Sequence, residues 1–370
     1  MAKLLMITGL GSAKDLAFGK KGAFYNTLEE FSKYWERIDI IAPKIETRDK
    51  KQETSLFGNV FIHISPWPLI FHPIWFIKKG REIYQEQKFD LMTVHEFPPF
   101  YNGIGARLLW NKIKVPYILE IHHIPGYPKA ASLKEGIYRN FMKWFIKFDA
   151  SKATAVRVVN QNQTPEFLIK AGVPEKKIIY IPSMYIDLEV FKPMNLPKEY
   201  DLIFVGRLVE NKGVHLFLET VKKLNLKAIM VGGGPLKNSI KLEIGNWKLE
   251  IDLYGWAKDS HEIAELLNKS KVLVMPSYNE GGPRVVLEAM ACGVPVLATS
   301  VGIIPDIIND GKSGGIIDWQ SEDIALKAKE LLSNPEKYSK YSQNGVKIAR
   351  QFEKKEAIRN YADKLKEILG

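Results

Sequence analysis

Residues 271–298 constrain this chain more than any other stretch: Lys-Val-Leu-Val-Met-Pro-Ser-Tyr-Asn-Glu-Gly-Gly-Pro-Arg-Val-Val-Leu-Glu-Ala-Met-Ala-Cys-Gly-Val-Pro-Val-Leu-Ala. Residues 272–275 form a short apolar run, half of it β-branched, stopped by Pro276, the pattern of a strand buried on both faces of a parallel sheet. A turn holding Gly281 and Gly282 follows. Residues 285–292 then read as a helix that Gly293 closes and Pro295 keeps from resuming, and residues 295–298 return as a second strand. Such a unit belongs to an open α/β sheet, in which ligands sit at the carboxyl edge of the strands.

Two carboxylates fall at that edge. Glu280 lies on the loop after the first strand and Glu288 about one turn inside the helix. Between them Gly281, Gly282 and Pro283 lead into a helix N-terminus, where backbone N–H groups and the helix dipole can receive an anion. An ionised Glu only accepts hydrogen bonds, and its two oxygens can take two vicinal sugar or ribose hydroxyls.

With 370 residues, 46% of them hydrophobic, the chain can bury a large core, and its length favours two domains. The first nine residues carry too short an apolar run for a signal peptide and read as a strand. Residues 67–77, the most apolar stretch, are broken by Pro68, His72 and Pro73 and are too short to span a bilayer. The single cysteine, Cys292, excludes an intrachain disulfide and a cysteine metal cluster. Together these features point to the cytoplasm. The net charge of +11 is uneven, for residues 1–180 hold 27 Lys and Arg against 17 Asp and Glu. That excess suits an anionic partner or, equally, a surface rich in Lys and Glu of the thermophile kind.

The N-terminal half alternates strand and helix. Strands are expected at residues 3–8, 38–41, 60–64, 91–94, 117–121, 152–159 and 178–181, and helices at 23–35, 74–86, 103–112 and 164–171, which implies a parallel sheet with helices on both faces. The start, Gly9-Leu-Gly11 followed by Lys14, fails the dinucleotide fingerprint. His95 and His122 each follow a strand. A lone His in such a place is a structural hydrogen-bonder or a ligand contact. In the second half, strands are expected at 202–205, 228–231 and 249–254, helices at 321–332 and 346–369. Gly206-Arg-Leu-Val-Glu-Asn-Lys-Gly213 follows the first of these strands, and an Arg fork and a Lys point charge on one loop can grip a diphosphate. Gly311-Lys-Ser313 lacks the upstream glycine of a phosphate loop, since position 306 is Asp.

Pro-Ser-x-x-Glu-Gly, the seven-residue interval between Glu280 and Glu288, and Glu-Ala-Met-Ala-Cys-Gly-Val-Pro-Val resemble retaining glycosyltransferase family 4, whose members share the GT-B fold. Gly206-Arg-Leu and Lys212-Gly213 match the same family. The resemblance implies two Rossmann-like α/β domains with parallel sheets facing a cleft. The boundaries expected are an acceptor-side domain at 1–181, a linker at 182–200, a nucleotide-sugar-binding domain at 201–350, and a C-terminal helix at 351–370 that packs back on the first domain. It also implies that His122 faces the donor sugar, with His123 where an Asp is common, and that the region after Gly255 lies near the nucleotide base. The family's Gly-Gly pair before the first helix is matched at Gly22 alone, with Lys21 in the other place; Gly11 and Gly22 are the candidate phosphate or acceptor loop.

The function these residues support is transfer of a sugar from a nucleotide-sugar to an acceptor hydroxyl, with retention taken from the family. Glu280, Lys212, Arg207 and His122 are the candidate catalytic residues; Glu288, Gly281, Gly282, Pro283, Gly206 and Gly255 are candidates for holding the donor. No Asp-x-Asp occurs in the chain, so no metal and no cofactor are expected beyond the donor itself. A nucleotide-sugar epimerase of the same fold and a non-catalytic sugar- or nucleotide-binding protein remain alternatives; no nucleic-acid motif is present. The acceptor expected is a saccharide or a lipid-linked group at the inner membrane face. Pro66-Trp-Pro-Leu-Ile-Phe71 precedes Lys78 and Lys79, and in residues 137–148 Arg139, Lys143 and Lys147 form a basic stripe beside Phe141, Trp144, Phe145 and Phe148. Two readings of that helix stand: an interfacial helix, or an ordinary surface helix with its aromatics in the core.

Overall fold

The computed structural model describes residues 1–9, 16, 22–44, 53–96 and 101–369. The chain divides into two units. The first comprises residues 1–124, 138–183 and 355–370, and the second residues 125–137 and 184–354.

The first unit holds β1 (Lys3–Ile7), α1 (Ala23–Phe31), β2 (Arg37–Ala42), β3 (Glu53–Leu56), β4 (Val60–Ile64), α2 (His72–Gln87), β5 (Leu91–His95), α3 (Tyr101–Ile113), β6 (Tyr117–Ile121), α4 (Leu133–Ala150), β7 (Ala155–Val158), α5 (Gln163–Lys170) and β8 (Ile178–Tyr180). The sheet order is β3-β4-β2-β1-β5-β6-β7-β8, parallel except for β3, which runs antiparallel to β4 at the edge. Central strands such as β6 are buried along their whole length, as a sheet covered on both faces requires. The connections β4→β5, β5→β6 and β6→β7 all step the same way across the sheet, and right-handed crossovers therefore put α2, α3 and α4 on one face and α1 on the other. In keeping with this, Arg107 of α3 donates to the Phe148 carbonyl of α4 at 2.7 Å and its guanidinium lies 3.7 Å from the Phe148 ring centroid.

Two carboxyls meet beneath the start of α3. A Cβ on Gly103 would stand 2.1 Å from Glu96 Oε2 and 2.6 Å from an Asp149 carboxyl oxygen. Asp149 is fully buried and its carboxyl oxygens find no hydrogen-bond partner among the described residues. Burial pushes its pKa up to about 8, against the pull of Arg107.

The second unit holds β9 (Tyr200–Val205), α6 (Val214–Leu224), β10 (Ala228–Val231), α7 (Lys237–Trp247), β11 (Ile251–Gly255), α8 (Ser260–Asn268), β12 (Ser270–Met275), α9 (Arg284–Ala291), β13 (Val296–Thr299), α10 (Ile304–Ile307), β14 (Gly315–Ile317), α11 (Ser321–Ser333) and α12 (Pro335–Ala349). Its sheet is wholly parallel in the order β11-β10-β9-β12-β13-β14. From β9 the chain winds outward one way and from β12 the other, so the topological switch point falls between these two strands. Met184, Ile186 and Phe191, in the stretch read as a linker, are buried in this unit's core.

Two expectations change. The sequence predicts one helix over 346–369, but the chain breaks between α12 and α13 (Lys354–Glu367). There Ile186 N–H donates to the Phe352 carbonyl at 2.7 Å and Lys354 N–H to the Ile186 carbonyl at 3.0 Å, a short parallel bridge that takes the backbone groups a continuous helix would use. The α13 residue Tyr361 is buried in the first unit, stacked on Phe31 with centroids 4.9 Å apart. In α4 the core face consists of Met142, Ile146 and Ala150, while Phe141, Trp144 and Phe148 are exposed. The core-face reading of those three aromatics is thereby corrected.

Candidate functional site

The loops leaving β9 and β12 emerge side by side at the switch point. After β9, Gly206 N–H donates to the Val231 carbonyl at 2.9 Å, and Leu208 N–H to the Gly233 carbonyl at 3.0 Å. Gly255, closing β11, accepts from Gly232 N–H at 2.6 Å. The loop ends at Gly213, whose φ of +65° is left-handed and whose missing Cβ would stand 2.1 Å from the Pro276 carbonyl oxygen. Only glycine fits both the dihedral and the gap. Tyr278 N–H donates to the Asn211 carbonyl at 2.8 Å, pinning the second loop to the first.

This register brings Lys212 onto Glu280. The Lys212 ammonium is hydrogen-bonded to Glu280 Oε1, and Ser277 Oγ donates to the same oxygen at 2.9 Å. Both side chains are half-buried. Arg207, two residues beyond the end of β9, is exposed. The Ser277 carbonyl accepts from Thr299 Oγ1 at 2.6 Å and from Trp319 Nε1 at 2.9 Å, which fixes the loop from the β13 side.

Gly281, Gly282 and Pro283 lead into α9, with Pro283 at its N-cap and no side-chain cap. The first-turn amides are thus left without a capping side chain. Gly302, at φ +56°, approaches so closely that a Cβ would stand 2.2 Å from the Gly281 carbonyl oxygen, to which Ile303 N–H donates at 3.0 Å. Glu288 follows one turn into α9. Burial pushes its pKa up to about 7, partly offset by Arg284, whose guanidinium lies 4.2 Å from the Tyr185 ring centroid.

Sequence reasoning missed a brace on the same loop. Buried Asn279 donates to the Lys129 carbonyl at 3.0 Å and to Glu135 Oε2 at 2.9 Å, while the Lys129 ammonium lies 4.8 Å from the Trp319 ring centroid. Residues 125–137 are counted with this unit although their flanks belong to the first. No local pattern signals a partner about 150 positions away.

The remaining candidates lie in the first unit. His122 follows β6, its ring centroid 4.6 Å from that of His95 and its Nε2 3.9 Å from Glu120 Oε2. Burial and the neighbouring His122 push the His95 pKa down to about 3, so His95 is neutral at ordinary pH. Burial opposes ionisation of Glu120, yet Arg157 at 2.6 Å and the Tyr361 hydroxyl at 2.6 Å hold its carboxyl well below the usual range. Gly22 is the N-cap of α1, in extended conformation. Gly11 lies outside the described residues.

Comparison with known proteins agrees with this architecture. A family model described as Glycosyl transferases group 1 matches residues 187–348, and one described as Glycosyltransferase Family 4 matches residues 25–185. Among solved structures, sucrose-phosphate synthase of Thermosynechococcus elongatus superposes with a TM-score of 0.84 at 17% identity, covering 100% of this chain and 99% of the other. Anabaena HepE, solved with UDP and glucose, gives 0.76 at 18% identity over 99% and 100%. The fold and its strand-end loops therefore define a glycosyltransferase of the GT-B type. An uncharacterised glycosyltransferase of Methanocaldococcus jannaschii is 30% identical over 86% of this chain and 87% of its own length, and a putative colanic acid biosynthesis glycosyltransferase of Escherichia coli is 31% identical over 64% and 67%. The chain belongs to the family 4, group 1 glycosyltransferases.

Proposed function

We propose that this glycosyltransferase moves a sugar from a nucleotide-sugar to an acceptor hydroxyl with retention of configuration and without a divalent metal, the acceptor being a lipid-linked group or a saccharide. The observation that carries the reading is the contact of Lys212 with Glu280 at the switch point. In the structure each neutralises the other. With donor present, the Lys212 ammonium and the Arg207 guanidinium meet the diphosphate, and the Glu280 carboxylate accepts hydrogen bonds from the sugar hydroxyls. The anomeric carbon–oxygen bond to the diphosphate breaks, and Lys212 and Arg207 stabilise the charge left on the leaving oxygen. The acceptor oxygen bonds to the same face of the anomeric carbon, and its proton passes to a phosphate oxygen of the departing diphosphate. No protein general base is needed. Glu288 holds the ribose, and His122 hydrogen-bonds the donor sugar. A UDP-sugar donor is supported by the HepE neighbour, whose structures hold UDP and glucose.

The test is turnover of UDP-glucose and other nucleotide-sugars with lipid-linked and saccharide acceptors, in wild type and Lys212→Ala. Loss of the ammonium should lower kcat on the order of 10²-fold, by analogy with removal of one transition-state donor. Normal kcat in the variant, or donor conversion that needs no acceptor, would refute the proposal; the latter result belongs to an epimerase. Ion dependence is read in the same assay with a chelator, where undiminished rates are expected.

A further inference from the structure

The first unit carries two exposed apolar tracts on its α2–α4 face that no feature of the transferase site uses. The first is Pro66-Trp-Pro-Leu-Ile-Phe71, every residue of which is exposed, followed by Ile74; Ile70 is 65% and Ile74 57% exposed. Along α2 the outward side then turns basic, with Lys78 and Arg81 exposed on the same side as Ile74. Lys79 is paired with Glu82 at 2.8 Å.

The second tract lies on the part of α4 that belongs to this unit. Phe141, Trp144 and Phe148 recur at intervals of three and four, and Trp144 is 84% exposed. On a helical projection these three fall within one narrow stripe opposite Met142 and Ile146, which face the core. Lys143 and Lys147, both exposed, border the stripe. A helix apolar on both sides with cations along the outer margin is dressed for a second apolar phase, and the cations specify its charge. The +10 excess of residues 1–180 gives that phase a long-range attraction as well.

We propose that this face docks on an anionic lipid bilayer, with residues 67–74 entering the acyl boundary, the α4 stripe lying along it, and Lys78, Arg81, Lys143 and Lys147 meeting lipid phosphates. α2 runs antiparallel to the strands, so the first tract stands at the carboxyl edge of the first sheet, the edge that ends in His95 and His122. The proposal deepens the lipid-linked acceptor reading and rests on it for its purpose, but its test requires no turnover. Failure of docking and failure of the transferase reading are therefore separable.

The experiment is co-sedimentation of the whole protein with phosphatidylglycerol-rich vesicles and with phosphatidylcholine vesicles, across a salt series, alongside sedimentation velocity without lipid. Wild type should pellet with the anionic vesicles at low salt and be released as salt shortens the screening length. Lys143→Glu/Lys147→Glu should weaken that partition by about tenfold or more. Ile70→Ser/Phe71→Ser and Trp144→Ser should weaken it at every salt concentration, while their far-ultraviolet circular dichroism and thermal midpoint without lipid stay those of wild type. Absence of capture at low salt, capture indifferent to all three variants, or a dimer that these variants dissociate would overturn the proposal, the last outcome assigning the face to a second copy of the chain.

Discussion

The proposed role of Glu288 makes donor binding a proton-linked event. Burial raises its carboxyl pKa from 4.5 to about 7, whereas the proposed role, accepting hydrogen bonds from two ribose hydroxyls, demands the ionised form. The apparent affinity is then the intrinsic affinity reduced by the fraction ionised. With a midpoint near 7 that fraction is about one tenth at pH 6, one half at pH 7 and nine tenths at pH 8. Affinity for UDP-glucose should therefore rise about fivefold from pH 6 to 7 and less than twofold from 7 to 8; the full span is worth about 1.3 kcal/mol. Titration calorimetry in two buffers of different ionisation enthalpy reads both the affinity and the proton released, which should approach one per donor at pH 6. UDP-glucose is the suitable ligand because its diphosphate is esterified at both ends, whereas a terminal phosphate has its own pKa near 6. The Glu288→Gln protein should bind more weakly at pH 8 and show a flat profile. A flat profile in wild type, or a slope that survives in Glu288→Gln, would refute the argument. The raised pKa also means that the stability gained from the protonated carboxyl is fully present at low pH and lost as pH rises through 7, so donor should protect against heat more strongly at pH 8 than at pH 6.

Two further outcomes follow from packing. Asp149, raised to about 8, binds a proton in the folded state that it has lost in the unfolded state over roughly pH 4 to 8; its stabilising effect is greatest at low pH and fades through that window. Asp149→Asn should thus raise the thermal midpoint at pH 8 and change it little at pH 4, and an unchanged midpoint at pH 8 would show that the carboxyl is not held neutral. Gly213→Ala would force a Cβ into the Pro276 carbonyl at a left-handed φ; a loss of about 2 kcal/mol in urea unfolding, with lower kcat as Lys212 shifts, is expected, and wild-type stability would contradict the close approach.

The strand-end loops were legible because their signals are local. A short apolar run, a glycine turn and a helix closed by Gly293 lie within 28 positions, and 206–213 repeats the same grammar. Their union was not local, since Lys212 meets Glu280 only because β9 pairs with β12. The brace from Asn279 to residues 129–135 and the approach of Gly302 to Gly281 left no periodic trace, being set by tertiary contact alone. The α4 aromatics could not be assigned from pattern because that helix has apolar residues on opposite sides, and only the packing of Met142 and Ile146 selects the core face. The break before α13 was hidden for a related reason: helix-forming residues continue across it, and the bridge to Ile186 that interrupts them comes from far upstream.

The position of Tyr361 bears on the order in which the chain can mature during synthesis. Its hydroxyl completes the buried cluster of Glu120 and Arg157, and its ring lies on Phe31. The unit built from the earliest residues thus waits for α13, after the whole of the second unit has left the ribosome. Domains emerging in sequence ordinarily settle first come, first served; here the second unit can close while the first still shows an unfinished hydrophobic face to the cell, and chaperone dependence should track the first.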